Sequence, residues 1–279
     1  MSFLKWVGGK ARLASQLVSL FPANIDTYYE PFLGAGHVFF KLKPNSSRLS
    51  DLNEDLINTY IEVQRNPSEV ISIIKNISQD PDTYYAIRHE FNTRNISGVQ
   101  RAAYFIYMNR CGYNGLYRVN KSGKFNVPFG KNAAIGEHIF SSIREGAKTL
   151  QTSTLDSYSF ETILSLVTEG DFVYLDPPYF PEKENSFTSY NKGGFSREEH
   201  KKVFDFCVEL DNRNVKFLLS SSDVKDVSLL FKRFKSLPVV ATRSISCSTN
   251  RGKHKEIIIF NYEIAKTSSY PTASVEKTA

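Results

Sequence analysis

Cysteine is scarce in this chain: Cys111, Cys207 and Cys247 are its three thiols in 279 residues. An odd, scattered set without paired spacing excludes a disulfide framework and a thiolate zinc site, and reads as reduced thiols of a cytoplasmic protein. No metal is expected. Long apolar runs are missing too. None reaches the ~20 residues a membrane helix requires, and the opening MSFLKWVGGK lacks the apolar centre of a signal peptide. Internal repeats are absent, which sets aside solenoids and propellers. Acidic residues are in deficit, 29 against 35 Lys and Arg, for a net charge of +6. Such a balance suits a polyanionic partner without establishing one.

Two well-known phosphate-binding patterns are also incomplete. Gly34 and Gly36 follow the strand-like TYYEPF, but Phe39 stands where a dinucleotide fingerprint needs its third glycine. In KWVGGK, Leu4 replaces the first glycine of a P-loop and Ala11 replaces the Ser or Thr after its lysine. A plain dinucleotide fold and an ATPase both fall away. What remains is a strand, a glycine turn, the helical HVFFKLK, and a second strand closed by Asp51. That order outlines a nucleotide-binding α/β half, in which Asp51 is placed to accept ribose hydroxyls or to serve as a turn residue.

After Asp51 the pattern becomes helical. Leu56, Ile57, Tyr60 and Ile61 share a face behind Asn53 as cap, Asn66-Pro67 interrupts, and helices follow in SEVISIIKNI, 81–93 and 98–110. LYRVNKSGKFNVP reads as a hairpin turning at Lys121-Ser122-Gly123. Strands are then expected near 150–155, 171–175, 216–221, 236–242 and 256–262, with helices at 159–167, 196–210 and 223–232. A first helix is expected between Gly9 and Leu20. The basic stretch 242–256 reads as a loop, and KTSSYPTASVEKTA as a disordered tail.

The sharpest feature is DFVYLDPPYF, an apolar strand ending in Asp176, Pro177, Pro178 and Tyr179. Proline cannot extend a central strand, so the ladder stops at the end where open α/β sheets bind ligands. A rigid turn is the structural alternative. The chemical use is specific. An exocyclic amine of a nucleobase is a poor nucleophile because its lone pair is delocalised into the ring. A carboxylate and a backbone carbonyl that accept its two N–H groups aim that pair at an electrophile and stabilise charge developing on nitrogen. The prolines stiffen the carbonyl, and Tyr179 offers a face for a base.

Together, FLKWVGGK, EPFLGAG, SDLNEDLI, NRCGYNGLYRVNKSGKFNVPFG, DFVYLDPPYFP and FTSY resemble, in order, the Dam-type DNA adenine-N6 methyltransferases of the D12 class with α-type motif order. The resemblance implies an α/β fold, a class I S-adenosylmethionine-dependent methyltransferase with a Rossmann-like mixed sheet. Its catalytic domain would span 1–52 and 148–265, with an inserted, mainly helical target-recognition domain over 53–147 carrying the hairpin, and a tail over 266–279. It implies S-adenosyl-L-methionine as cofactor, contacted by Trp6, Lys10, Glu30, Phe32, Gly34, Gly36, Asp51, Asp156 and Asp176. Asp176, Pro177, Pro178 and Tyr179 are the implied catalytic motif. Lys5, Tyr113, Asn114, Leu116, Arg118, Asn126, Pro128 and Lys131 are the implied DNA contacts, with Arg118 reading guanine. Relatives commonly carry arginine where Lys131 stands, and lysine lacks the bidentate fork.

The implied partner is double-stranded DNA, with no membrane and no obligate protein partner, in the cytoplasm of a bacterium or of a phage's host. The implied activity is methylation of a flipped-out adenine, with 5′-GATC-3′ the favoured site. Rival readings are a different adenine site, cytosine N4, an RNA or protein-glutamine substrate that would not need the hairpin insertion, and a non-catalytic DNA-binding relative. The loop 184–195 is a candidate cover for the flipped base.

Overall fold

Seven short strands assemble into one sheet in the computed structural model, which describes residues 2–130, 135–179, 195–242 and 253–264. Its strands are β1 (Tyr28–Glu30), β2 (Ser47–Ser50), β3 (Ser153–Asp156), β4 (Phe172–Leu175), β5 (Lys216–Ser222), β6 (Lys235–Thr242) and β7 (Lys253–Phe260). They lie in the order β3-β2-β1-β4-β5-β7-β6. The first five are parallel, and β7 runs antiparallel between β5 and β6. From β1 the chain winds outward to β3, then returns to the opposite side of β1 as β4. The strand ends therefore open a crevice at β1 and β4, the switch point where such sheets bind ligands.

The helices among the described residues are α1 (Ala14–Val18), α2 (His37–Leu42), α3 (Glu54–Arg65), α4 (Pro67–Lys75), α5 (Pro81–Thr93), α6 (Gly98–Cys111), α7 (Glu137–Leu150), α8 (Arg197–Asn212) and α9 (Lys225–Leu230). Their starts are written in local chemistry. Asn53, Asp80 and Ser97 accept the N–H of Leu56, Thr83 and Gln100, while Ser196 and Glu199 form a reciprocal capping box. Pro67 and Pro81 sit in first turns, where a missing N–H costs nothing.

Two apolar cores flank the sheet. One, on the face of Tyr28, Phe172, Tyr174, Leu218 and Ile258, runs without a break into Leu56, Tyr60, Phe105, Ile106, Ile139 and Ile143 of the helical segment. The other packs Val173, Leu175, Phe217 and Leu219 against Val203, Phe206 and Leu210 of α8. No described helix is long and apolar enough to cross a membrane.

Several expectations need correction. The first helix is only Ala14–Val18, because the preceding residues form turns around Lys10. The segment 159–167 holds a 3-10 turn, Phe160–Ser165, in place of an α-helix. α7 is absent from the sequence reading. Its apolar positions Ile139, Phe140, Ile143, Ala147 and Leu150 have helical spacing, but Gly146 masked them. The glycine lets Phe3 pack close on α7, since a Cβ there would lie 3.0 Å from the Phe3 ring. The hairpin, by contrast, is present in short form: around the antiparallel bridge Val119↔Phe125, Asn120 N–H donates to Lys124 O at 2.8 Å and Asn126 N–H to Arg118 O at 3.0 Å, closing the turn at Lys121-Ser122-Gly123. Residues 253–255 of the supposed loop belong to β7, which begins earlier than the strand expected at 256–262. Lys131, FTSY with 184–194, the stretch 243–252, Cys247 and the tail lie outside the described residues.

Candidate active site

The crevice is built on two left-handed glycines. Gly34 (φ +47°) and Gly36 (φ +61°) turn the chain from β1 into α2. A Cβ on Gly34 would stand 2.8 Å from Trp6 Cδ1, so the indole rests directly on bare backbone. Trp6 itself packs against Phe105 and Tyr117, at centroid distances of 6.4 and 5.7 Å, and those two rings meet each other at 5.4 Å. Asp51, just past β2, ties the turn: its two oxygens accept the N–H of Gly34 at 3.1 Å and of Asn53 at 3.0 Å. Burial pushes its pKa up, and these backbone bonds pull it back. Carboxylate lone pairs remain for a further donor. Asp156 ends β3 in register with Ser50 and is exposed. Phe32 is half-buried on the other face against Phe160 and Phe195.

The DPPY segment leaves β4 beside these groups. Asp176 Oδ1 is 2.7 Å from Lys10 Nζ. Lys10 is buried at 5% exposure, with its ammonium also 4.6 Å from the centre of the Tyr179 ring. Pro177 is buried and Pro178 exposed. Beneath them Glu30, 3% exposed, accepts a 2.7 Å hydrogen bond from Tyr28 Oη. Burial, and secondarily the nearby Asp176, raises the Glu30 pKa to about 8, so this carboxyl is largely neutral at pH 7. His37, against whose ring Gly9 packs, is neutral for the complementary reason: burial first, then Arg110 and Lys10, hold it at about 4.

The hairpin is a short arm, paired through its own backbone and tied down by side chains. Asn120 Oδ1 accepts from Ser122 and Lys124, closing a turn at Gly123 (φ +72°). Tyr84 Oη and Arg88 donate to Val127 O, and Asn92 brackets Phe125 through both its amide atoms. Tyr117 packs inward on Trp6, Phe105 and Phe125. On the outer side Arg118 Nε donates to Asn126 Oδ1 at 2.7 Å and its Nη2 to Asn126 O at 3.2 Å. Tyr113 is 53% exposed, Asn114 (φ +53°) and Pro128 are exposed, and Leu116 is half-buried. Lys5 joins the arm to the N-terminal segment. Its N–H donates to Asn109 Oδ1 at 2.8 Å, and burial, then Arg110, lowers its pKa.

The structure thus brings Trp6, Lys10, Gly34, Asp51, Asp176 and Tyr179 to one end of the sheet, and Arg118 with Asn126 to the outer side of the arm. Sequence reasoning missed Phe105 and Tyr117, the rings around Trp6, and it missed Glu256 of β7, buried at 4%. The signal for Glu256 was a lone acid directly before IIIF.

A five-stranded parallel half, an inserted antiparallel β7, a glycine turn after β1, an acid after β2 and DPPY after β4 define a class I methyltransferase. The profile of the D12 class N6 adenine-specific DNA methyltransferases matches residues 6–245, and the chain belongs to that family. It is 37% identical over 270 residues to the Type II methyltransferase M1.LlaDCHI of Lactococcus lactis subsp. cremoris, covering 93% of this chain and 95% of that one. The DNA adenine methylase of Haemophilus influenzae is 34% identical over 266 residues, covering 92% of each chain. That of Escherichia coli K12 is 32% identical over 263 residues, again covering 92% of each.

Proposed function

We propose that this enzyme takes its methyl group from S-adenosylmethionine and places it on N6 of an adenine extruded from duplex DNA, with 5′-GATC-3′ as the site. The observation that carries the reading is the Lys10–Asp176–Tyr179 cluster where β4 ends beside the Gly34 turn. The crevice fits the cofactor. Bare backbone at Gly34 and Gly36 admits close approach, Trp6 supplies an aromatic wall, Asp51 and Asp156 are acceptors at adjacent strand ends, and Phe32 closes the other side. When bound, the sulfonium supplies an electrophilic methyl group.

The chain's residues do the rest by position. Asp176 and the Pro177 carbonyl accept the two N–H groups of the adenine amine, freeing its lone pair for attack. Lys10 fixes the Asp176 carboxylate from one side, and a carboxylate has acceptor capacity for both partners. Buried Glu30, neutral and bonded to Tyr28, adds little negative charge beside Asp176 and shapes the site from below. Tyr179 stacks on the base, offsetting part of the few kcal/mol that extrusion costs. Arg118, oriented by Asn126, is the guanine reader, and Lys5, Tyr113, Asn114, Leu116, Pro128 and Lys131 line the DNA side. The catalytic domain would be 1–52 with 148–265, and 53–147 the recognition domain.

Expression in methylation-free cells, followed by digestion with nucleases that sense GATC methylation and sequencing for N6-methyladenine, tests the site. Methylation elsewhere overturns GATC alone. Asp176→Ala is expected to abolish transfer while retaining DNA binding, and retained transfer removes Asp176 from the mechanism.

A further inference from the structure

The sheet turns polar behind Tyr179, where its pattern would carry aliphatic side chains. On the β5 face that holds Leu218, positions 220 and 222 are serines. Glu256 stands directly opposite Ser222, with Ile258 and Phe260 following on the same face of β7. Ser220, Ser222 and Glu256 are 0, 4 and 4% exposed. Ser220 is satisfied by Tyr174 Oη at 3.0 Å. Ser222 Oγ and Glu256 Oε2 have no hydrogen-bond partner among the described residues.

A buried polar atom left unsatisfied costs ~1–3 kcal/mol, and more on a charged group. A fold that keeps one at the ligand-binding end of its sheet has a use for the group. The neighbour is Tyr179. Burial first, then Asp176 and Glu256, push its phenol pKa well up.

We propose that Glu256 is a positioning residue whose carboxylate accepts the Tyr179 hydroxyl hydrogen and sets the tilt of the ring that meets the extruded base. Ser222, directly opposite it across the β5–β7 pair, is the hydroxyl that would donate to the second carboxylate oxygen once the base is seated. The ring is thereby fixed at two points: Lys10 lies over its face and Glu256 holds its hydroxyl. A hydroxyl on this ring has a function that stacking alone does not require, since phenylalanine stacks as well.

The inference rests on the reading that Tyr179 stacks on the target base, and the experiment separates the two. Methyl-transfer kinetics are measured on a duplex containing the site that sequencing identifies. Extrusion is followed by 2-aminopurine fluorescence at the target position, and folding by thermal unfolding. Glu256→Ala is expected to lower kcat by about 10–100-fold, the scale of a small misplacement at a reacting centre, with KM for DNA within about twofold. Glu256→Gln, which still accepts a hydrogen bond, restores most of the loss. Tyr179→Phe lowers kcat by the same factor, and adding Glu256→Ala to it produces no further loss. Multiplying losses, or a Tyr179→Phe enzyme as fast as the parent, overturn the proposal even if Glu256→Ala does not fold. If Tyr179→Ala is slow while Tyr179→Phe is not, stacking stands and the role of Glu256 falls. If Tyr179→Ala is unimpaired, stacking falls, and with it the proposal built on it.

Discussion

Replacing Glu30 by glutamine isolates the free energy of keeping one carboxyl neutral inside the sheet. In the native chain, burial dominates over the Tyr28 hydrogen bond and raises the Glu30 pKa from 4.5 to about 8. A carboxyl with a raised folded-state pKa contributes stability below its unfolded value and loses it as pH rises through the folded one. Between pH 4.5 and about 8 the native state binds one proton more than the unfolded chain. Stability should therefore fall by about 1.4 kcal/mol per pH unit in that window, for a total of ~5 kcal/mol. Glutamine keeps an acceptor for Tyr28 Oη and does not titrate. The difference in Tm between Glu30→Gln and the parent should thus widen steadily from pH 5 to 8, by a few degrees per unit for a chain of this size. Subtraction removes the other groups that titrate in both proteins. A difference that stays flat across pH 5–8 would refute the reasoning, because Glu30 would then be in the same charge state throughout.

Gly34→Ala should lose ~1–3 kcal/mol of stability and weaken S-adenosylmethionine binding, because it adds a Cβ 2.8 Å from Trp6 at φ +47°. Gly123→Ala, at φ +72° with open space around it, should lose only the backbone share and leave cofactor affinity alone. Calorimetric titration with thermal unfolding checks both, and equal behaviour of the two variants contradicts the close fit at Trp6. Arg118→Ala should relax discrimination at one guanine by about 1–3 kcal/mol. Asn126→Ala, which only frees the guanidinium, should shift it less in the same direction. An even loss across all DNA sequences would make Arg118 a phosphate contact instead.

Much of this architecture was legible because local chemistry and global topology agree. Asn53, Pro67, Asp80 and Ser97 mark helix starts within a residue or two. The glycine turn and DPPY lie at strand ends because each terminates a ladder. What stayed hidden depended on contacts far apart in sequence. Gly146 reads as a break until Phe3 is seen occupying the space a side chain would need. The arm reads as a hairpin and is one, but its docking on α5 was hidden, since Tyr84, Arg88 and Asn92 reach its backbone groups from more than thirty positions away. Lys10 reads as a failed P-loop lysine, since its partner Asp176 is 166 positions away and only the crossover at β1 and β4 joins them. Glu256 falls where the basic stretch meets the strand expected at 256–262, and nothing local shows that its carboxylate is buried.

The unbroken core beneath the arm limits how this segment can vary. Tyr117 touches Trp6, Trp6 rests on Gly34, and Phe105 belongs to the same apolar body as Tyr28 and Leu218 of the sheet. The helical segment is therefore not a cassette, because exchanging it with a relative's would sever a shared interior as well as a surface. Variation is cheap only at exposed places such as Tyr113, Arg118 and Lys124, where no packing is lost. Sequence change in the arm would then accumulate one outward-facing residue at a time, over a base that selection for folding holds constant.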